Sequence, residues 1–303
     1  MESKKVNIVK TKLPDKGAFT IETNHDFIKL HSLMILSGKR GGGKSVCIAN
    51  FIRTCKEKNY FDKVYLVTPT YASNKSIWDI ASIEPEDIFE PDIGVVKLIK
   101  EKIGAEKQDW DDFLEELKIY KKFKKEIEND KYIDDKNLIK YLEKGYLDNK
   151  ERPKWKYKVE QPPRLGVIFD DCLNSEVMAR RSSGLINFCI KHRHVADGLG
   201  VSIFLLVQAY CSQDGVNKAI RENTTQLLLF KTNSEVQLKK IKDECDLPIT
   251  EEEFQEICNK AFEVPYQFVL IDFAAKCPSF QFRIGWNEII IPKSLQNKCT
   301  CKK

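Results

Sequence analysis

The stretch Gly38-Lys39-Arg40-Gly41-Gly42-Gly43-Lys44-Ser45 constrains this chain more than any other. It fits the phosphate-loop spacing G-x-x-x-x-G-K-[ST], and its surroundings fit as well. Leu33-Met34-Ile35-Leu36 before it reads as a buried strand, and Val46 to about Asn59 after it reads as a helix. Glycines let backbone N–H groups turn inward around phosphates, and a helix N-terminus adds partial positive charge. In that setting Lys44 reaches the β- and γ-phosphates and the Ser45 hydroxyl ligates Mg²⁺. A plain glycine-rich turn would not explain why the motif and both flanks agree. The expectation is a chain that binds a nucleoside triphosphate.

Composition sets wider bounds. The chain has 303 residues, long enough for one large α/β domain or two smaller ones. A hydrophobic fraction of 42% suffices for a core, and a net charge of +5 against 31% charged residues permits a nucleic-acid partner without requiring one. No apolar run approaches the roughly 20 residues that span a bilayer. Met1-Glu2-Ser3-Lys4-Lys5 lacks the apolar core of a signal peptide. The ten cysteines are scattered, with no C-x-x-C pair, and Cys47, Cys55, Cys189 and Cys258 fall on apolar helix faces. That pattern predicts a reduced, intracellular protein without structural zinc.

Strands and helices alternate along the chain. Residues 1–30 read as polar, with one or two short strands. Strands are expected at 63–68, 165–169, 201–207 and 226–230, and helices at 182–194, 234–245 and 251–261. Thr250-x-x-Glu253 is a capping box opening the last of these. Residues 266–272 and 280–284 read as a terminal hairpin. The pattern predicts one domain with a mainly parallel sheet covered on both faces. Residues from about 84 to 160 differ: rich in Lys, Glu and Asp, with Trp110, Phe113, Leu117, Tyr120, Phe123 and Ile127 at helical spacing. Their charges nearly cancel, so this stretch reads as a solvated helical insertion rather than a DNA-binding element.

Further residues carry chemistry. Leu165-Gly166-Val167-Ile168-Phe169 runs straight into Asp170-Asp171, the Walker B arrangement. Asp170 would hold the Mg²⁺ shell, and Asp171 would polarise an attacking water as general base. Gln208 ends the strand at 201–207, where open parallel sheets bind ligands, and could orient the water or touch the γ-phosphate. Arg193 and Arg221 are candidate arginine fingers, either of which could reach a neighbouring subunit's site. His192 and His194 flank Arg193, but no third ligand accompanies them, which argues against a metal site. Arg180-Arg181 is a candidate DNA-facing spot and equally a solvated helix end.

Taken in order, these motifs give the chain a resemblance to the DNA-packaging ATPases of large DNA viruses, the poxvirus-type branch of the FtsK–HerA superfamily. The matching pieces after the phosphate loop are Tyr65-Leu66-Val67-Thr68-Pro69-Thr70-Tyr71, Ile168-Phe169-Asp170-Asp171, Arg193-His194, Leu206-Val207-Gln208-Ala209-Tyr210, Ile220-Arg221-Glu222-Asn223 and Leu270-Ile271-Asp272. They cover about residues 30–80 and 164–290. The insertion, the Gly41-Gly42-Gly43 triplet with Lys39-Arg40, and Asp171 in place of glutamate depart from the family. The resemblance implies a RecA-like ring ATPase that uses ATP and Mg²⁺ to drive double-stranded viral DNA into a preformed capsid. It further implies a homo-oligomeric ring, a capsid or inner-membrane portal partner, no integral membrane anchor, and work at viral assembly sites in the host cytoplasm or in the virion. Two other classes stay open on the residues alone. One is a P-loop kinase, disfavoured by Gln208 and the lack of an Arg-rich lid. The other is a nucleotide-dependent assembly scaffold, disfavoured by Asp171.

Overall fold

The computed structural model describes residues 21–129, 132–147, 151–172, 175–179, 183–211, 216–232 and 234–296. The elements, in chain order, are β1 (Leu33–Ser37), α1 (Lys44–Glu57), β2 (Lys63–Val67), α2 (Tyr71–Ala81), β3 (Ile88–Phe89), α3 (Val95–Glu128) and α4 (Asp135–Glu143). After them come β4 (Leu165–Asp170), α5 (Glu176–Ala179), α6 (Leu185–Ile190), α7 (Val195–Gly198), β5 (Ser202–Val207), α8 (Lys218–Glu222) and β6 (Gln226–Phe230). The chain closes with α9 (Glu235–Glu244), α10 (Glu251–Phe262), β7 (Phe268–Asp272), β8 (Phe282–Ile284) and β9 (Glu288–Ile290).

The nine strands among the described residues form one sheet in the order β3-β2-β4-β5-β1-β6-β7-β8-β9. The six strands from β3 to β6 in that order run parallel, and β6 through β9 pair antiparallel. The central strands are continuous apolar runs because helices cover both faces. Alternate residues then supply two cores. Leu33, Ile35, Val167, Phe169, Ile203 and Leu205 face one, while Met34, Leu36, Ile168, Phe204 and Leu206 face the other with Ile48, Phe51 and Ile52 of α1. β5 lies between the phosphate-loop strand β1 and the aspartate strand β4. This register sets Leu206 beside both Leu36 and Asp170, so the loop after β1 and the carboxylates after β4 meet at one end of the sheet.

The stretch from 84 to 160 is only partly a solvated elaboration. Its first residues add β3 to the sheet edge beside β2. The first turns of α3 bury Val95, Val96, Ile99 and Ile103 in the main core. Glu106 is also buried; Lys63 lies 3.8 Å and Lys156 2.7 Å from its carboxylate, and the Tyr157 hydroxyl donates to it at 2.8 Å. Farther out, Phe123, Tyr141 and Tyr146 form a separate small core. The helix expected at 182–194 is broken. α6 ends at Ile190, a 3₁₀ turn covers His192–His194, and Ala196 and Asp197 take positive φ. No strand forms over 21–30. Cys47, Cys55, Cys172, Cys189, Cys211, Cys245 and Cys258 are free thiols, whereas Cys277 is disulfide-bonded, against the expectation of a fully reduced chain. Among the described residues no helix is long and apolar enough to cross a membrane.

Candidate active site

The phosphate loop is shaped by backbone demands that only glycine meets. The Gly38 N–H donates to Val207 O at 3.2 Å, tying the loop to β5, and a Cβ on Gly38 would come within 2.5 Å of the Phe230 Cβ. Gly43 caps α1 in the left-handed region at φ +93°. No side chain caps this helix and its own first turn holds no acid, which leaves its leading N–H groups without a side-chain cap beside the cavity. Gly42 N–H closes a turn onto Lys39 O at 3.1 Å, and Lys39, Arg40 and Gly41 are exposed. The Lys44 ammonium folds back along the loop, donating to Gly38 O at 2.6 Å and Lys39 O at 3.0 Å. Burial holds its pKa below the usual lysine range, and the charges of Asp170 and Asp171 partly offset that.

The Ser45 hydroxyl lies 3.2 and 3.1 Å from the two oxygens of Asp170, its partner across 125 residues of chain. Asp170 is buried at the end of β4. Burial pushes its carboxyl up to about 6, with Asp171 adding to the rise while Ser45 and Lys44 oppose it. A buried carboxylate beside a hydroxyl is a hard-oxygen donor pair that suits Mg²⁺, whose remaining positions are ordinarily filled by water and nucleotide phosphates. No cluster of three or more His, Cys, Asp or Glu among the described residues offers an all-protein metal cage.

These groups border a cavity of about 850 Å³. Arg40, the three glycines Gly41 to Gly43, Lys44, Ser45, Asp170, Asp171 and Gln208 line one end. Asp171 is exposed and sits at φ +53°, a left-handed turn that Asp tolerates better than most residues. Gln208 is exposed where β5 ends. The Thr68-Pro69-Thr70-Tyr71 segment adds Thr70, whose hydroxyl bonds Thr68 Oγ1 and Asn74 Nδ2, each at 3.1 Å.

The other end is apolar, bordered by Val46, Ile77, Tyr266, Phe268 and Trp286. The sequence reading missed this end. Tyr266 takes φ +64° in the loop after α10 and is largely exposed, although a Cβ on Gly43 would lie 3.2 Å from its ring. Trp286 sits in the β8–β9 turn and stacks on Phe51, ring centres 4.5 Å apart. The available signal was an aromatic in each of two turns flanking the terminal hairpin, Pro265-Tyr266 and Gly285-Trp286.

The two arginines do not join the site within one subunit. Arg193 is exposed in the 3₁₀ turn and does not line the cavity. Arg221 is held by Glu244, with Nε donating at 2.5 Å and Nη2 at 3.1 Å, and by Val216 O, and it lies over the Tyr210 ring at 5.6 Å. His192 is buried and its Nδ1 bonds Cys189 O at 2.8 Å, so it serves the core. Arg180 and Arg181 lie outside the described residues.

The chain has an α/β, RecA-like P-loop NTPase fold with a mainly parallel sheet and a C-terminal antiparallel hairpin. No family model matches the chain, and no curated protein matches it. Among solved structures it is similar to the genome-packaging NTPase B204 of Sulfolobus turreted icosahedral virus 2 with ATPγS, at 12% identity, covering 86% of this chain and 98% of that one, TM-score 0.40. It is also similar to ATPases 2 and 3 of EssC from Geobacillus thermodenitrificans, at 13% identity over 86% of this chain and 40% of that one, TM-score 0.42. The pCW3 conjugation coupling protein TcpA is a third, at 11% identity over 86% and 64%, TM-score 0.42.

Proposed function

We propose that this chain is an ATPase that couples hydrolysis to movement of double-stranded DNA, packaging a viral genome into a preformed capsid as a homo-oligomeric ring. The observation that carries the hydrolytic part is the meeting of Ser45 and Asp170 at 3.1–3.2 Å beside Lys44, at the open N-terminus of α1. Lys44 and the loop N–H groups hold the phosphates in place. Ser45 and Asp170 would hold Mg²⁺, which would neutralise charge on the phosphates. Asp171 accepts the proton of the attacking water, and Gln208 orients that water. The apolar end bordered by Tyr266 and Trp286 takes the base.

The DNA-moving part is supported by the ordered motifs, from Thr68-Pro69-Thr70-Tyr71 through Leu270-Ile271-Asp272, and by the exposed Arg193 as a group a neighbouring subunit could use. In this reading the chain works at assembly sites in the host cytoplasm, against a capsid or inner-membrane portal component. ATP turnover measured with and without double-stranded DNA tests it. DNA should raise the rate. Turnover that depends on a small phosphate acceptor would make the chain a kinase, and binding without turnover would make it a scaffold.

A further inference from the structure

At 34 residues α3 is about 50 Å long, and its far end packs with α4 in a core separate from the one where it begins. In this arm α4 uses only one face against α3. Tyr141 is buried, its hydroxyl donating to Glu126 Oε2 at 2.7 Å, and Lys122 Nζ donates to Asn137 Oδ1 at 2.9 Å. Leu138, Ile139 and Leu142 lie around the helix from that contact and are between 36% and 56% exposed. Beside them Lys136, Lys140 and Lys144 recur every four residues, all exposed. The arm's ion pairs join Lys122 to Glu126 and Lys124 to Glu128, and leave those three lysines without an acidic partner among the described residues. Like charges four residues apart destabilise a helix unless something of opposite sign lies against them.

α10 carries the opposite chemistry at the opposite edge of the sheet. α3 follows β3 at one edge, whereas α10 packs on β7 and reaches β9 through Lys260 and Glu288 at 2.6 Å. Both helices bury their apolar sides in the same core, so they flank the same face of the sheet. α10 turns Phe254, Ile257 and Ala261 inward and presents Glu252, Glu256 and Glu263 outward along one stripe. Lys239 is taken by Glu251 at 3.6 Å, and Lys242 acts on Glu252 through charge alone. No ion pair among the described residues holds Glu256 or Glu263. Val264, just past the end of α10, and Ile291, just past β9, add exposed aliphatic surface beside the stripe.

Residues 118–147 hold nine lysines against six acids, and residues 251–263 hold five glutamates against one lysine. Arm against arm would set positive on positive, and α10 against α10 negative on negative. Arm against α10 is the pairing in which both charge and aliphatic surface match. The two patches belong to different edges of one subunit, so a contact between them joins copies head to tail, and such a contact repeated by rotation closes a ring. We infer that the α4 arm of one copy docks on the α10 face of the next, its lysines on Glu252, Glu256 and Glu263, and Leu138, Ile139 and Leu142 towards Val264 and Ile291. This inference rests on the reading that copies assemble as a ring, and adds which surfaces they use.

Sedimentation velocity of the full chain over a range of concentrations, with ATPγS present, tests the contact. The unaltered chain should assemble reversibly. The doubly reversed chains Lys136→Glu/Lys140→Glu and Glu256→Lys/Glu263→Lys should each assemble at least ~10-fold more weakly, because charges that attracted now repel. Mixed in equal amounts, the two should assemble as the unaltered chain does. In the mixture each reversed arm can face a reversed α10 and each native arm a native one, and recovery also shows that both variants are folded. A chain carrying all four changes should assemble by itself. Undiminished assembly of either doubly reversed chain, or no recovery in both the mixture and the fourfold variant, would overturn the assignment and leave the ring to other surfaces. Loss of double-stranded DNA binding in Lys136→Glu/Lys140→Glu with assembly intact would make the arm a DNA contact instead. An unaltered chain that stays monomeric at every concentration would overturn the ring itself along with this contact.

Discussion

Asp171 occupies a left-handed backbone position at φ +53°, a region that asparagine tolerates as well as aspartate does. Asp171→Asn therefore removes the charge without straining the turn. It should bind ATP normally and hydrolyse it at least ~100-fold more slowly, since a positioned base contributes about 10²–10⁴ in rate. Near-normal turnover in a single-turnover assay would reject Asp171 as the base. A different residue-scale effect comes from His31, at the mouth of β1. It is buried, with Nε2 3.0 Å from Leu199 O, and burial, with His192 nearby, lowers its pKa to about 3. Unfolding returns that pKa to about 6.5, so the unfolded chain binds the extra proton as pH falls below that value. The native state then loses stability from about pH 6.5 down to about 3, at up to about 1.4 kcal/mol per pH unit. In His31→Phe this contribution is absent. The gap in unfolding midpoint between the two proteins should narrow as pH drops from 7 to 4, and a constant gap would show that His31 titrates alike in both states.

Elements differ in how plainly the sequence announces them. β1, β2, β4, β5 and β6 each appear within a residue or so of their expected bounds, because apolar runs closed by Pro69, Asp170 or Gln208 are local signals. α10 was equally legible through its capping box, in which Thr250 and Glu253 each bond the other's backbone N–H. The phosphate end of the site was legible for the same reason, being built from contiguous motifs. Trp286 was not, since its surroundings come from Phe51, far away in sequence. β3 was missed because two residues carry no periodicity. The insertion shows the cost of reading composition alone. Its charged helix α3 begins inside the main core at Val95 to Ile103 and leaves it only later. Removing 99–150 should therefore unfold the protein, by taking Ile99, Ile103 and Glu106 out of buried positions. Removing 119–147, which holds the separate Phe123–Tyr141–Tyr146 cluster, should keep a cooperative thermal transition and ATP binding. Equal melting behaviour for the two deletions would contradict this division.

At the scale of the whole molecule, the arginines separate by environment. Arg221 is occupied by Glu244, while Arg193 is exposed on the surface. A ring that uses an arginine in trans should then use Arg193. Arg193→Ala and Lys44→Ala proteins are each expected to be inactive, and mixing them should restore part of the turnover, because an intact Arg193 would face an intact Lys44 at some interfaces. A trans arginine contributes about 10³–10⁵ in rate, so even partial recovery is readable. Mixing Arg221→Ala with Lys44→Ala should restore nothing, and no recovery with either arginine would count against a ring. The sheet itself bears on how such copies could meet. Among the described residues it ends on one side in β3, two residues long, and on the other in β9, three residues long and followed closely by Pro292. Edges this short offer a neighbour almost no backbone to zip onto. In a ring, association of copies would be left to side chains, whose contacts could slip and reset between neighbours without any strand being peeled away.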